Sequence, residues 1–186
     1  SILCNEAELR ERVAYLLDAY REPVLVEKYI EGNDVTVGMV GNYPDLHLFP
    51  ISMIDNSLYE ETGIHVYGSE LKIDLGDEYK YQCPAQLPDK LAKELRRLAI
   101  ETMRVTGTLD LARIDFRLDK NDNHQPYILE INSLPGITPI SDLTLMAEAE
   151  GWSHARLVYS VFEAALKRYG LQIDVPLHEY EEVRIR

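Results

Sequence analysis

Cysteine is almost missing from this chain: Cys4 and Cys83 are the only two among 186 residues, and they do not stand in metal-ligand spacing. A domain of this size needs no disulfide, so both thiols are expected to be reduced, one of them buried. Long apolar runs are absent too, and none approaches the roughly 18 to 20 residues that cross a bilayer. Basic residues are scarce: 19 Lys and Arg against 32 Asp and Glu give a formal net charge of −13. That average field repels a nucleic-acid backbone or an anionic membrane surface, so neither is expected as a partner. A magnesium-bridged nucleotide is compatible with it, because a divalent cation overrides the mean charge locally. Internal repeats, low-complexity segments and a basic-then-apolar leader are also missing. The chain opens on Ser-Ile-Leu-Cys-Asn without an initiator methionine. The expectation is a piece of a longer, cytoplasmic protein.

What is present is an ordinary globular composition, 46% hydrophobic and 27% charged, with enough length for one sizeable core. Leu9, Val13, Leu16, Leu17 and Tyr20 recur at three- and four-residue spacing, which predicts a helix over 6–20 with Asn5 as its N-cap and Pro23 beyond its end. Val24 to Val26 read as a buried strand. After the Glu31-Gly32-Asn33-Asp34 turn, strands are expected over 35–40 and about 46–54. The polar stretch 55–82 reads as a loop with a task. Pro88 and Asp89 open a second helix, with Leu91, Leu95, Leu98, Thr102 and Val105 along one side and Gly107 at its close. Strands over 111–118 and 127–131 flank a turn, and helices follow near 142–149 and 153–169, the last closed by Gly170. The order predicts an α+β fold: a mostly antiparallel sheet with helices packed on one side.

The sharpest chemical signal lies in Ala-Arg-Ile-Asp-Phe at 112–116 and Ile-Leu-Glu-Ile-Asn at 128–132. Side chains two apart on a strand share a face. A short hairpin would therefore bring Arg113, Asp115, Glu130 and Asn132 onto one surface. Two carboxylates and a carboxamide are hard oxygen donors of the kind magnesium takes, together with phosphate. The guanidinium beside them can neutralise developing negative charge. Spacing alone leaves a plainer alternative, a half-exposed hairpin with a surface ion pair. A calcium-loop template also overlaps Asp119, Asn121, Asn123 and Glu130, but His124 stands where that loop demands glycine.

The block at 111–141, ending Ile-Leu-Glu-Ile-Asn-Ser-Leu-Pro-Gly-Ile-Thr-Pro-Ile-Ser, resembles the carboxy-terminal signature of D-alanine–D-alanine ligases of the ATP-grasp superfamily. Val-Glu-Lys-Tyr-Ile-Glu-Gly-Asn-Asp at 26–34 is similar to the hinge that holds adenine and ribose. Tyr-Gly-Ser-Glu-Leu-Lys at 67–72 resembles the loop that closes over the phosphates, and Cys83-Pro84-Ala85 matches the stretch after it. The resemblance implies a carboxylate–amine ligase that uses ATP and two magnesium ions, with manganese able to replace them, and proceeds through an acyl phosphate. Asp115, Glu130 and Asn132 would hold the metal, and Arg113 would stabilise the acyl-phosphate and tetrahedral species. Glu27 and the backbone of Lys28, Tyr29 and Ile30 would read adenine, with Leu129 against its face and Asp34 at the ribose. Lys72 would meet the γ-phosphate, Gly136 would let the backbone approach the reacting centre, and Ser141 would grip the second substrate's carboxylate. Residues 1–31 would be the remnant of the central lobe and hinge, 32–170 the carboxy-terminal ATP-grasp domain and 171–186 a peripheral tail. An amino acid or small carboxylate is the implied substrate, and a homodimer fits the family.

The chain departs from the family's pattern in two places. Ile73 follows the loop lysine where dipeptide-forming relatives usually place tyrosine, and Asp34 is one carbon shorter than the usual ribose glutamate. The resemblance implies that the chain begins inside the central ATP-grasp lobe, without the amino-terminal substrate domain and the central lobe's glycine/serine-rich phosphate loop, so the piece alone is expected to lack full ligase activity. A non-catalytic magnesium–ATP-binding module and a ligase-derived interaction domain are the alternatives. For single residues, Tyr29 and Leu129 read equally as core, Lys72 as a solvated charge and Ser141 as the cap of the next helix.

Overall fold

The computed structural model describes residues 2–54 and 81–171. Residues 55–80 of the polar stretch, with the 67–72 loop, Lys72 and Ile73, lie outside the described residues, as does the tail beyond Leu171.

Helix α1 spans Glu6–Tyr20. The Asn5 side chain accepts from the Glu8 amide at 3.0 Å, while the Glu8 carboxylate takes the Cys4 amide at 2.8 Å, so two otherwise orphaned donors are satisfied together. Arg21 ends the helix in the left-handed region. The expected stripe buries nothing: Leu9, Val13 and Leu16 are half-covered, whereas Leu17 and Tyr20 are exposed. The strand expected at 24–26 is absent as well. Residues 23–31 pair with no described strand, and Leu25 and Val26 are 79% and 54% exposed. A run of apolar residues makes a buried strand only where a ladder partner exists, and among the described residues none lies beside it.

The sheet begins at Gly32. Its strands are β1 (Gly32–Asn42), β2 (Asp45–Leu48), β3 (Ser52–Ile54), β4 (Tyr81–Gln82), β5 (Leu111–Asp119) and β6 (Gln125–Asn132), in the order β4-β3-β1-β5-β6, with β2 also on β1. Every described pairing is antiparallel. The single strand expected at 46–54 is two short ones, both laid along β1 and separated around Pro50, which cannot donate to a ladder.

Helix α2 (Asp89–Thr106) buries Leu95, Ala99 and Met103 against Val35, Val37 and Met39 of β1 and Ala112, Ile114, Phe116 and Leu118 of β5. The expected stripe is right at Leu95 and runs off at Val105, which is 69% exposed, because the buried face rotates toward Ala99 and Met103. Helices α3 (Asp142–Ala149) and α4 (His154–Arg168) cover the opposite face of the sheet, where Leu143, Met146, Ala147 and Leu157 pack on Val40, Phe49 and Leu111. The α+β, antiparallel expectation holds, but helices lie on both faces, not on one. Gly38 makes room for the second layer: a Cβ there would fall 2.4 Å from Leu143 Cδ1 and 2.9 Å from Met146 Sδ. Cys4 and Cys83 are both free, the first exposed and the second half-buried.

Helix α4 is pinned to the start of β5 by charge. Arg168 donates to both oxygens of Asp110, at 3.0 and 2.6 Å, and the Asn42 amide adds a third bond at 2.8 Å. Arg168 holds the Asp110 carboxyl below the usual carboxylate range, against the opposing effect of burial and with help from Asn42. A carboxyl depressed in the fold contributes stability above its unfolded pKa of about 4 and loses it as pH falls through the lower, folded value.

Two outcomes are expected in urea denaturation. Leu95→Ala should cost about 2–5 kcal/mol, whereas Val105→Ala should stay within about 0.5 kcal/mol. Wild type should lose stability on acidification below about pH 4, and Asp110→Asn should lose less over the same range.

Candidate functional site

Beyond Gly38 the face covered by α3 turns polar, and the strand register decides which side chains meet there. Arg113 stands opposite Asn132 and Asp115 opposite Glu130 across the β5–β6 pair. On the other side Asp34, Thr36 and Gly38 of β1 stand opposite Arg117, Asp115 and Arg113. Four of the expected residues, Arg113, Asp115, Glu130 and Asn132, therefore share one surface. The register shifts by one residue between Asp115 and Phe116, which leaves Leu129 as the extra residue of a bulge.

Arg113 is the hub. Its Nε donates to Asp115 Oδ1 at 3.1 Å, its Nη2 to Asp115 Oδ2 at 2.8 Å and its Nη1 to Asp142 Oδ2 at 3.0 Å. Glu130 Oε1 lies 3.9 Å from Nη2. Thr36 donates its hydroxyl to Asp115 Oδ1 at 2.9 Å. The Arg113 and Asp115 side chains are each only 19% exposed, so the plain surface ion pair is ruled out. Burial alone would ease deprotonation of the guanidinium. The hydrogen bond and charge of Asp115, then the charges of Asp142 and Glu130, outweigh it and raise Arg113 above the usual arginine range. Glu130 is 64% exposed and open to a ligand. Asn132 takes the Leu134 amide on its side-chain oxygen at 3.2 Å.

The donor set suits a hard cation: two carboxylates and a carboxamide oxygen. Among the described residues no three His, Cys, Asp or Glu side chains gather closely enough to cage a metal by themselves. That matches an ion which takes one or two carboxylates and completes its shell with phosphate and water.

The remaining expected residues fall less uniformly. Residues 27–30 belong to no helix or strand, and the Ile30 carbonyl accepts from Arg117 Nη1 at 3.2 Å. Glu27 and Lys28 are exposed, as are Tyr29 at 39% and Leu129 at 53%, so neither of the last two is a core residue. The Asp34 carboxylate is gripped by Arg117, at 2.6 and 3.1 Å, instead of standing clear for a sugar. Gly136 is exposed, and a Cβ there would meet only Ser141 Cβ, at an ordinary 3.7 Å; nothing described requires glycine. Ser141 occupies the N-cap position of α3 but makes no side-chain cap bond; its hydroxyl donates to the Thr138 carbonyl at 2.9 Å. Sequence reasoning missed Arg117, which continues the alternation of Arg113 and Asp115, and Thr36 and Asp142, for which no local signal exists.

A cleft of about 440 Å³ lies at the other end of β1 among Asn42, Asp45, His47, Trp152, Glu163 and Arg168. Its charges satisfy one another, as in His47 with Glu150 at 2.6 Å and Arg168 with Asp110, and it holds none of the expected site residues.

Comparison with known proteins identifies a family. The family described as D-ala D-ala ligase C-terminus matches residues 1–163. The chain belongs to that family. It is 37% identical over 153 residues to the D-alanine–D-alanine ligase of Bordetella petrii, covering 80% of this chain and 43% of the relative. It is 33% identical over 163 residues to the uncharacterized protein y4sG of Sinorhizobium fredii, covering 88% and 47%. The chain thus spans somewhat less than half the length of these relatives. Among solved structures, the D-alanine–D-alanine ligase of Bacillus anthracis complexed with ATP superposes with a TM-score of 0.67 at 21% identity, over 90% of this chain and 49% of that one. The D-alanine–D-alanine ligase of Coxiella burnetii gives 0.68, also at 21%, over 91% and 42%. At that identity the likeness establishes the shared fold. No described helix is long and apolar enough to cross a membrane.

Within this member of the D-ala D-ala ligase C-terminus family, Arg113 keeps Asp115, Asp142 and Glu130 from facing one another uncompensated. Arg113→Met should therefore lower the unfolding free energy at pH 7 by about 2–4 kcal/mol in urea denaturation. Arg113→Lys should recover only part, because an ammonium cannot fork between two carboxylates.

Proposed function

We propose that this chain supplies the nucleotide- and metal-binding part of an ATP-dependent carboxylate–amine ligase acting on a small amino acid or carboxylate. Residues 1–31 serve as the remainder of a central lobe and hinge, 32–170 as the carboxy-terminal domain and 171–186 as a tail. The observation that carries the reading is the cross-strand meeting of Arg113, Asp115, Glu130 and Asn132, with exposed Tyr29 and Leu129 available to stack on a base.

In the proposed reaction a substrate carboxylate oxygen attacks the γ-phosphorus of ATP, the bond to the β,γ-bridging oxygen breaks, and ADP leaves. The amine nitrogen then attacks the acyl carbon of the resulting acyl phosphate. The C–O bond to phosphate breaks, phosphate departs, and the protons shed by the nitrogen pass to solvent. Asp115, Glu130 and Asn132 would hold magnesium, which when bound would supply neutralisation of phosphate charge and alignment for the transfer. Arg113 sits within the same hydrogen-bonded group and is placed to stabilise negative charge on the acyl phosphate and the tetrahedral species. Tyr29 and Leu129 form the apolar seat for adenine, and the backbone of residues 27–30 meets its polar edge. Lys72 is assigned to the γ-phosphate, where closing over it excludes the water that would hydrolyse a mixed anhydride.

Isothermal titration of the chain with ATP and magnesium tests this reading. Saturable binding is expected, weakened about tenfold or more by the Asp115→Ala, Glu130→Ala double change. Affinity unchanged in a double variant that still melts cooperatively would remove the basis for the assignment.

A further inference from the structure

The charge balance around Arg113 bears on which amine can reach the reacting centre, a question that rests on the ligase reading above. One guanidinium faces three carboxylates: Asp115 at 2.8 Å, Asp142 at 3.0 Å and Glu130 at 3.9 Å. Counted over the described residues, the group therefore carries an excess of two negative charges. Bound magnesium answers the excess on the side of Asp115 and Glu130. Asp142 lies on the other side of Arg113 and belongs to neither strand. It is the first residue of α3, and it arrives because that helix lies tight on the sheet over Gly38. Its Oδ2 is held by Arg113 Nη1, its Oδ1 accepts no hydrogen bond from the described residues, and 27% of the side chain is open to solvent.

Among the described residues, a substrate carboxylate entering here finds no ready partner. The fork of Arg113 is divided between two aspartates. The hydroxyls of Ser141 and Thr144 both donate to the Thr138 carbonyl, at 2.9 and 2.8 Å. Arg117, the other arginine on this face, holds Asp34. An ammonium group, by contrast, finds a carboxylate with an oxygen to spare.

We propose that Asp142 is a specificity-determining residue: it draws the amine acceptor by its positive charge and rejects amines that carry a carboxylate on the neighbouring carbon. The acceptor is then a simple amine, or an amino acid whose acid group is blocked as an amide or peptide, and not a free amino acid. This departs from the carboxylate grip that family resemblance assigns to Ser141. Like charges in a partly buried site discriminate strongly because neither can be fully hydrated there.

The test uses the full-length protein with magnesium–ATP. Hydroxylamine, small and uncharged, first reports any acyl phosphate as a ferric hydroxamate, with D-alanine, L-alanine, glycine and D-lactate tried as donor acids. With the donor so identified, alaninamide and free alanine of the same hand compete as acceptors, and the products are counted by mass spectrometry. The expected result is a kcat/KM at least about tenfold higher for the amide, carried mainly by KM. Asp142→Asn, which keeps the shape and removes the charge, should level or invert the preference, and Asp142→Glu should preserve it. A merely structural Asp142 predicts equal losses on both acceptors. Hydroxamate formation with equal use of the two acceptors, or a preference unmoved by Asp142→Asn, overturns the inference and leaves the ligase reading standing. No hydroxamate from any of the acids overturns both.

Discussion

Nine consecutive residue pairs, from Gly32 with Asp119 to Val40 with Leu111, hold β1 against β5. Because side chains alternate across a strand, a slip of one residue would exchange the two faces of this ladder entirely. In the observed register every odd position of β1 from Val35 to Met39 is fully buried under α2, together with Ala112, Ile114 and Phe116. The apolar half thereby fixes the polar half. Thr36 comes to stand across from Asp115 and bonds to it, and Asp34 across from Arg117 and bonds to it. The candidate site is the reverse side of a hydrophobic core, and its precision comes from that core.

The same alternation explains how much of the site was legible in the sequence. Arg113 and Asp115, and separately Glu130 and Asn132, are two apart on strands joined by a short hairpin, so their meeting follows from local rules alone. The bulge at Leu129 could have spoiled it. It falls on the far side of Glu130, leaving Asp115 opposite Glu130 while Ile128 and Leu129 both remain exposed. Asp142 lies 29 residues from Arg113, and their contact depends on the packing of α3 over Gly38. No periodicity encodes that. The helices were legible as helices, caps included, but their assignment to one face was not. The paired strands that carry Val40 and Leu111, β1 and β5, present apolar residues on both sides at that end, and a pattern of apolar residues does not say which neighbour covers each side.

The misreadings at the start of the chain have a related cause. Leu9, Val13 and Leu16 repeat as a helix stripe should, and Val24 to Val26 read as a buried strand, yet no residue of either segment is buried among the described residues. Hydrophobic spacing reports that a face is suited to burial; it carries no information about the surface that buries it. By the same logic the exposed Ile128 and Leu129 next to Glu130 on β6 are chemically meaningful, since apolar groups next to a carboxylate suit a ligand with a flat apolar ring and a charged tail.

Charge separates this cluster from the other ion pairs on the sheet. Arg117 with Asp34 and Arg168 with Asp110 are one-to-one pairs, each cation matched by a single acid. Around Arg113 the ratio is one to three, in a position where Arg113 and Asp115 are four-fifths buried. In a protein of net charge −13 a surplus of acid is ordinary on the surface, where water screens it. Below the surface it costs stability, because each carboxylate loses hydration and gains only a share of one guanidinium. A fold that needed only rigidity at this point would do better with a matched pair, as it has at both neighbouring positions. On the ligase reading proposed above, the unmatched acids would be answered by cations that arrive with substrates: magnesium on the side of Glu130 and an ammonium on the side of Asp142. The two open sides of Arg113 then have different ligands for the same electrostatic reason.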